Sequence, residues 1–123
     1  MEERYHIDLA WLKEQGRSFP ELARSRLCAR CRGRKLTKPE EFFQRFQECC
    51  QEDPDFFQPR ISVREAIFRV FLLRGNQPLT PEEVAEELKP RHHHPPSPAV
   101  VSRLLQADSL YGIRPVSSPP GDP

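Results

Sequence analysis

The chain has 123 residues, a net charge of +1 and 14 prolines. That length holds one compact domain or two very small modules sharing a core, and the near-neutral total excludes a chain committed as a whole to nucleic acid or an acidic membrane. No apolar run approaches the roughly 20 residues that cross a bilayer, and the opening Met-Glu-Glu-Arg-Tyr-His lacks the apolar core of a secretory signal. A cytoplasmic protein with no membrane partner is expected, in a reducing compartment where four cysteines serve as metal ligands or thiols.

Helix punctuation divides the chain. Asp8 caps a first short helix through Trp11 and Leu12 that stops at Gly16. Ser18-Phe-Pro-Glu21 reads as a capping box opening a second helix that runs to about Leu27. Thr37-Lys-Pro-Glu40 repeats the device and opens a third, from Pro39 to about Gln51, on which Phe42, Phe43, Phe46, Cys49 and Cys50 fall on one stripe. Asp53-Pro54 and Gln58-Pro59 then break the chain. A fourth helix starts at Ser62-Val-Arg-Glu65 and ends near Gly75-Asn76, a fifth starts at Thr80-Pro-Glu-Glu83, and a sixth runs from Ser97-Pro98 to about Asp108. Leu110 to Val116 has the aromatic and branched residues of a short strand, and the proline-rich tail 117–123 reads as disordered.

The fold class expected is therefore mainly α, with about six short helices and one short strand or hairpin. Two modules are expected, 1–58 and 59–116, the second packed on the first. Val63, Ala66, Ile67, Val70 and Leu73 make one face of the fourth helix while Phe68 and Leu72 point to the other side, as in a helix buried between two layers.

Cysteines are the strongest chemical signal. Cys28-x-x-Cys31 followed by Gly33 resembles the knuckle of zinc-binding proteins, and 17 residues separate Cys31 from Cys49. The resemblance implies a structural zinc held by Cys28, Cys31, Cys49 and Cys50. The second pair departs from the pattern because it is Cys-Cys on a helix. Neighbouring helical side chains diverge by about 100°, so both can ligate only where the helix ends or unwinds. The competing readings are core thiols packed beside the phenylalanines, an iron–sulfur cluster, a regulatory disulfide, or a mixed site that borrows His6.

Charge is unevenly spread. Arg24, Arg26, Arg30, Arg32, Arg34, Lys35 and Lys38 occur with no acid among them, and six acids against Arg45 follow between Pro39 and Gln58. A metal-pinned loop carrying those bases can grip nucleic-acid phosphates without reading bases. His92, His93 and His94 sit between Arg91 and Pro95 and read as surface loop.

From Ile61 to Val116, the order helix, tight turn at Gly75-Asn76-Gln-Pro-Leu-Thr80, short helix, helix, strand is similar to a small winged helix-turn-helix domain, with Pro-Leu-Thr-Pro-Glu-Glu-Val-Ala-Glu-Glu-Leu its most telling part. The resemblance implies that the sixth helix occupies the place that reads the DNA major groove. Its residues argue against that task, since Arg103 is its only base and Glu82, Glu83, Glu86 and Glu87 crowd the fifth helix. With no glycine-rich phosphate loop, nucleophile elbow or metalloprotease helix pair, the chain is expected to be non-enzymatic, with no small-molecule substrate.

Two functions follow. One is a nucleic-acid-binding accessory protein, DNA-binding or transcription-related, that uses the basic stretch with Arg103 and Arg114. The other is a protein-interaction module that docks on a larger transcription or translation assembly. The two separate on whether the basic loop or the glutamates border the exposed side of the sixth helix.

Overall fold

The computed structural model describes residues 3–28, 35–51, 53, 56–57 and 61–116. Strand β1 (Tyr5–Ile7) leads into helix α1 (Leu9–Glu14) and α2 (Phe19–Arg24). Helix α3 (Pro39–Arg45) passes without a break into a π-helical turn, Phe46–Cys50, and α4 (Val63–Leu73), α5 (Pro81–Leu88), α6 (Pro98–Gln106) and β2 (Ile113–Pro115) complete the order. The protein is mainly helical, with a small two-stranded antiparallel sheet.

Most helix starts lie where the short polar residues place them. Asp8 Oδ1 accepts the Trp11 amide at 3.0 Å and Ser18 Oγ the Glu21 amide at 3.3 Å. Ser62 Oγ accepts from Glu65 at 3.1 Å and Ser97 Oγ from Val100 at 3.3 Å, while Thr80 and Glu83 close a full reciprocal capping box. Two boundaries differ from expectation. Helix α2 ends at Arg24 instead of Leu27. The device before α3 lies one residue later than its sequence pattern suggests: Lys38 is the N-cap, and Glu41, in place of Glu40, accepts the Thr37 and Lys38 amides at 3.0 and 2.9 Å.

Helix α4 is the central element. Ala66, Ile67, Phe68, Val70, Phe71, Leu72 and Leu73 are all buried, so apolar contact surrounds most of its circumference. Phe68 stacks on Tyr111 with ring centroids 4.8 Å apart. One continuous apolar core runs from Tyr5 through Phe42, Phe46 and Phe68 to Ile113.

The sheet was only half visible in the sequence. Residue Tyr5 pairs with Pro115, His6 with Arg114 and Ile7 with Ile113, so β2 finds its partner at the opposite end of the chain and not in a hairpin. Tyr5 also bridges to Leu79 through two backbone hydrogen bonds of 2.8 and 3.0 Å, which makes β1 the middle strand of a three-segment ribbon. Asn76, at φ 61°, extends that pairing with a side chain: its Oδ1 accepts the Ile7 amide at 2.7 Å and its Nδ2 donates to the Ile7 carbonyl at 2.9 Å. Tyr5 and Ile7 face the core and His6 lies between them half-buried, the alternation a strand demands.

Candidate metal centre

The end of α2 and the end of α3 converge on sulfur. Sγ of Cys28 lies 3.2 Å from Sγ of Cys50 and 3.7 Å from Sγ of Cys49, and the three sulfurs all fall within 4.8 Å of one another. Thiolates on a tetrahedral zinc at about 2.3 Å stand roughly 3.8 Å apart, so the spacing fits that ion with sub-ångström adjustment. The π-helical turn explains how both adjacent cysteines share the site. Bonding from i to i+5 widens the turn and lessens the divergence between neighbouring side chains, which reduces the obstacle an α-helix would present.

Cys50 is fully buried and Cys28 nearly so, whereas Cys49 is only partly covered. The Cys28 amide donates to Cys50 Sγ at 3.3 Å, the type of N–H···S bond that zinc knuckles aim at a ligating sulfur. Burial first, the Cys28 amide bond opposing and the Cys28 thiol adding to the rise together push the Cys50 thiol up to about 11. A divalent cation reverses that balance, since a coordinated thiol is deprotonated outright. Cys49 is disulfide-bonded in this structure, and Cys28 and Cys50 carry thiols.

Phenylalanines wall the cluster. Phe42, Phe43 and Phe46 are buried on the turns that lead to Cys49 and Cys50, with Phe19 packed on Phe42 and Phe43 at 6.2 and 5.0 Å and Phe56 on Phe46 at 5.6 Å. With Cys49 reduced, the described cluster offers three thiolate ligands. Cys31 lies outside the described residues, and His6, opposite Arg114 in the sheet, is not among the clustered side chains. His92 is fixed elsewhere: it accepts the His94 amide on Nδ1 at 3.1 Å, so the Nε2 that contacts the Ile61 carbonyl at 3.0 Å is the donor.

The expected phosphate-binding residues separate into groups. Arg30, Arg32 and Arg34 lie outside the described residues. Lys35 and Lys38 are exposed. Arg24 is exposed but bonds the Leu36 carbonyl at 3.0 Å and lies 5.6 Å over the Phe42 ring. Arg114 stacks 5.2 Å over Trp11. Arg26 is committed inward, with its guanidinium paired to Glu65 and lying against the stacked Phe68 and Tyr111 rings, 5.2 and 5.8 Å from their centroids. In the sequence Arg26 reads as one base of a run and Glu65 as a helix cap, so nothing local marks them as partners.

On α6, Arg103 and Gln106 are exposed. The shallow depression beside Gln106, about 190 Å³, is lined by Ser102 and Gln106 from α6, Tyr5 and Glu3 from the first strand region, and Pro81 and Glu82 from α5. Acids therefore border this face. Glu83 pairs with Arg4 at 3.1 Å, Glu86 with Lys89 at 2.7 Å and Glu87 with Arg91 at 3.0 Å, whereas Glu82 projects into the depression. No helix among the described residues is long and apolar enough to cross a membrane. No protein-family model, curated protein or solved structure matches the chain.

Proposed function

We propose that this chain is a non-enzymatic docking module: a winged-helix-like unit that presents α6 to a protein partner, stapled to its N-terminal helices by a structural zinc. The observation that carries the docking reading is the placement of Glu82 and Glu3 around Ser102 and Gln106. Phosphate would be repelled along the side of α6 that a groove-reading helix must offer to DNA, and Arg103 alone does not offset that. A polar, weakly acidic face of this kind suits a protein surface carrying Lys or Arg, as on a larger transcription or translation assembly. The order α4, the Leu79 bridge, α5, α6, β2 supports the winged-helix-like assignment.

The zinc reading rests on the sulfur spacing and the Cys28 amide bond to Cys50. Cys28, Cys49 and Cys50 would hold the ion, with Cys31 the fourth ligand that the sequence supplies. The ion would restrain the turn after α2 against the end of α3, a connection that a small core does not make by itself. Four thiolates leave no position for a reacting water.

Site-specific photocrosslinking tests the docking face. A photoreactive residue at position 102 or 106 is expected to give a discrete protein adduct in cells, lost when Glu82→Lys is added, while one at position 35 gives none. A nucleic-acid adduct at 102, or protein adducts only at 35, would overturn the reading. The second reading keeps the basic loop as a phosphate grip and rests on the exposure of Arg24, Lys35 and Lys38. It requires salt-dependent binding of labelled duplex or single-stranded nucleic acid, weakened by roughly tenfold or more between about 50 and 200 mM salt.

A further inference from the structure

Oxidation and metal binding compete for the same sulfurs. Cys49 is the least covered of the three clustered cysteines and already stands in a disulfide, while Cys28 and Cys50 lie buried behind it as thiols. Sγ of Cys28 approaches Cys49 to 3.7 Å, close to the separation zinc imposes and near enough for sulfur to attack sulfur after a small rotation. The π-helical turn brings the exposed and the buried thiol to one place, and such turns recur at functional positions in helices.

We infer that Cys49 is an oxidisable switch residue whose conversion to a disulfide by a hydroperoxide releases the metal and loosens the link between α2 and α3. This inference rests on the zinc reading above. The Cys49 thiolate attacks the peroxide, breaking its O–O bond; an alcohol or water leaves and Cys49 becomes a sulfenic acid. A second cysteine thiolate then attacks that sulfur, the S–S bond forms, and the displaced hydroxide takes a proton and departs as water. Two thiolates have lost two electrons to the O–O bond, and zinc, short of two ligands, dissociates. A thiol or phosphine reductant returns both sulfurs to thiolates and restores the site.

Burial gives the direction of attack. Cys50 is fully buried and Cys28 nearly so, which leaves Cys49, among the described cysteines, as the sulfur a small peroxide meets first. The disulfide then protects Cys49 from irreversible over-oxidation, because the neighbouring sulfur traps the sulfenic acid before a second peroxide arrives.

The test starts from full-length protein, reduced, loaded with zinc and freed of excess metal. Native mass spectrometry and elemental analysis are run before peroxide, after one to a few equivalents of hydrogen peroxide, and after re-reduction with added zinc. The expected result is one zinc per chain, its loss to leave a chain two hydrogen atoms lighter than the reduced zinc-free protein, a peptide map that places Cys49 in the new bond, and full recovery of zinc on reduction. If zinc stays bound and Cys49 unmodified under peroxide, the switch is wrong while the metal centre stands. Conversion of Cys49 to a sulfinic acid, with two added oxygens and no disulfide, also overturns the switch. Reduced protein that takes up no zinc overturns the metal centre itself, an outcome read before any peroxide is added.

Discussion

Arg26 and Glu65 meet through two parallel hydrogen bonds, Nε to Oε2 and Nη2 to Oε1, both 2.9 Å, between residues 39 apart in the chain. The carboxylate takes two further bonds, from Arg69 Nε at 2.8 Å and the Tyr111 hydroxyl at 3.0 Å, so residues near the start, middle and end of the chain converge on one acid. The Arg26 and Glu65 side chains are 17% and 16% exposed, which places this network well inside the range where solvent screening is weak. Burial pushes the Glu65 carboxyl upward, and the two guanidiniums outweigh it and hold the group at about 2.

An acid-sensitive fold follows. Glu65 titrates near 4.5 when unfolded and near 2 when folded, so its stabilisation is complete above about pH 5 and is lost as pH falls through that interval. The gap corresponds to roughly 3 kcal/mol. Urea denaturation between about pH 7 and pH 2.5 should show that loss. Glu65→Gln should be less stable at neutral pH by about 3 kcal/mol, since it leaves buried guanidiniums uncompensated, and should have a visibly flatter acid limb. Parallel acid limbs in the two proteins would exclude Glu65 as the titrating group.

Asn76 does two jobs that one substitution pair can separate. It adopts a left-handed backbone conformation at φ 61°, and its side chain makes two hydrogen bonds to Ile7. Asn76→Gly keeps the backbone comfortable and loses only the two bonds, a cost of about 1–2 kcal/mol. Asn76→Ala loses the bonds and adds the left-handed penalty of about 1–2 kcal/mol, so it should be the worse of the two by about that amount. Thermal melts of both variants check the order. Equal stabilities would mean that backbone conformation contributes nothing at this turn.

The same residues show where sequence reading succeeds and where it stops. Caps at Asp8, Ser18, Ser62, Thr80 and Ser97 are local devices, set by bonds between residues three apart, and they are legible as such. The apolar circumference of α4 is legible for the same reason, because helical period maps sequence directly onto faces. Strand β1 is only three residues long, too short for its alternation to register, and its partners lie at Leu79 and beyond Gly112. The inward turn of Arg26 depends on which ring and which acid tertiary folding delivers, and no window around position 26 contains either. The sulfur cluster falls between these cases: its residue types mark it, while the π-helical turn that lets Cys49 and Cys50 share it carries no local signature.

Two glycines with nearly the same backbone should respond differently to alanine. Gly16 and Gly112 have φ of 73° and 77°, so each variant carries the left-handed penalty of about 1–2 kcal/mol. Nothing lies within 4 Å of a Cβ added at Gly16, whereas one at Gly112 would stand 2.6 Å from Leu12 Cγ, a fully buried side chain in the core. Leu12 cannot withdraw without displacing its neighbours, which adds about 1–3 kcal/mol of overpacking. Gly112→Ala should therefore melt well below Gly16→Ala, by roughly 5 °C or more. Similar melting temperatures would show that the α1 edge of the core yields more readily than its burial suggests.

Cys50 offers the sharpest separation of metal from packing. Cys50→Ala removes little volume, but it leaves the Cys28 amide without its sulfur acceptor, costing about 1–3 kcal/mol whether or not an ion is present. If a zinc is held by this cluster, the variant also loses the part of folding free energy that the ion supplies. A strong chelator distinguishes the two. Wild-type protein under reducing conditions should lose several degrees of melting temperature when metal is stripped, and Cys50→Ala, already without its ion, should lose almost none. Equal chelator-insensitive melting in both would reduce Cys28, Cys49 and Cys50 to core side chains beside Phe42 and Phe46, and the staple between α2 and α3 would then be apolar contact alone.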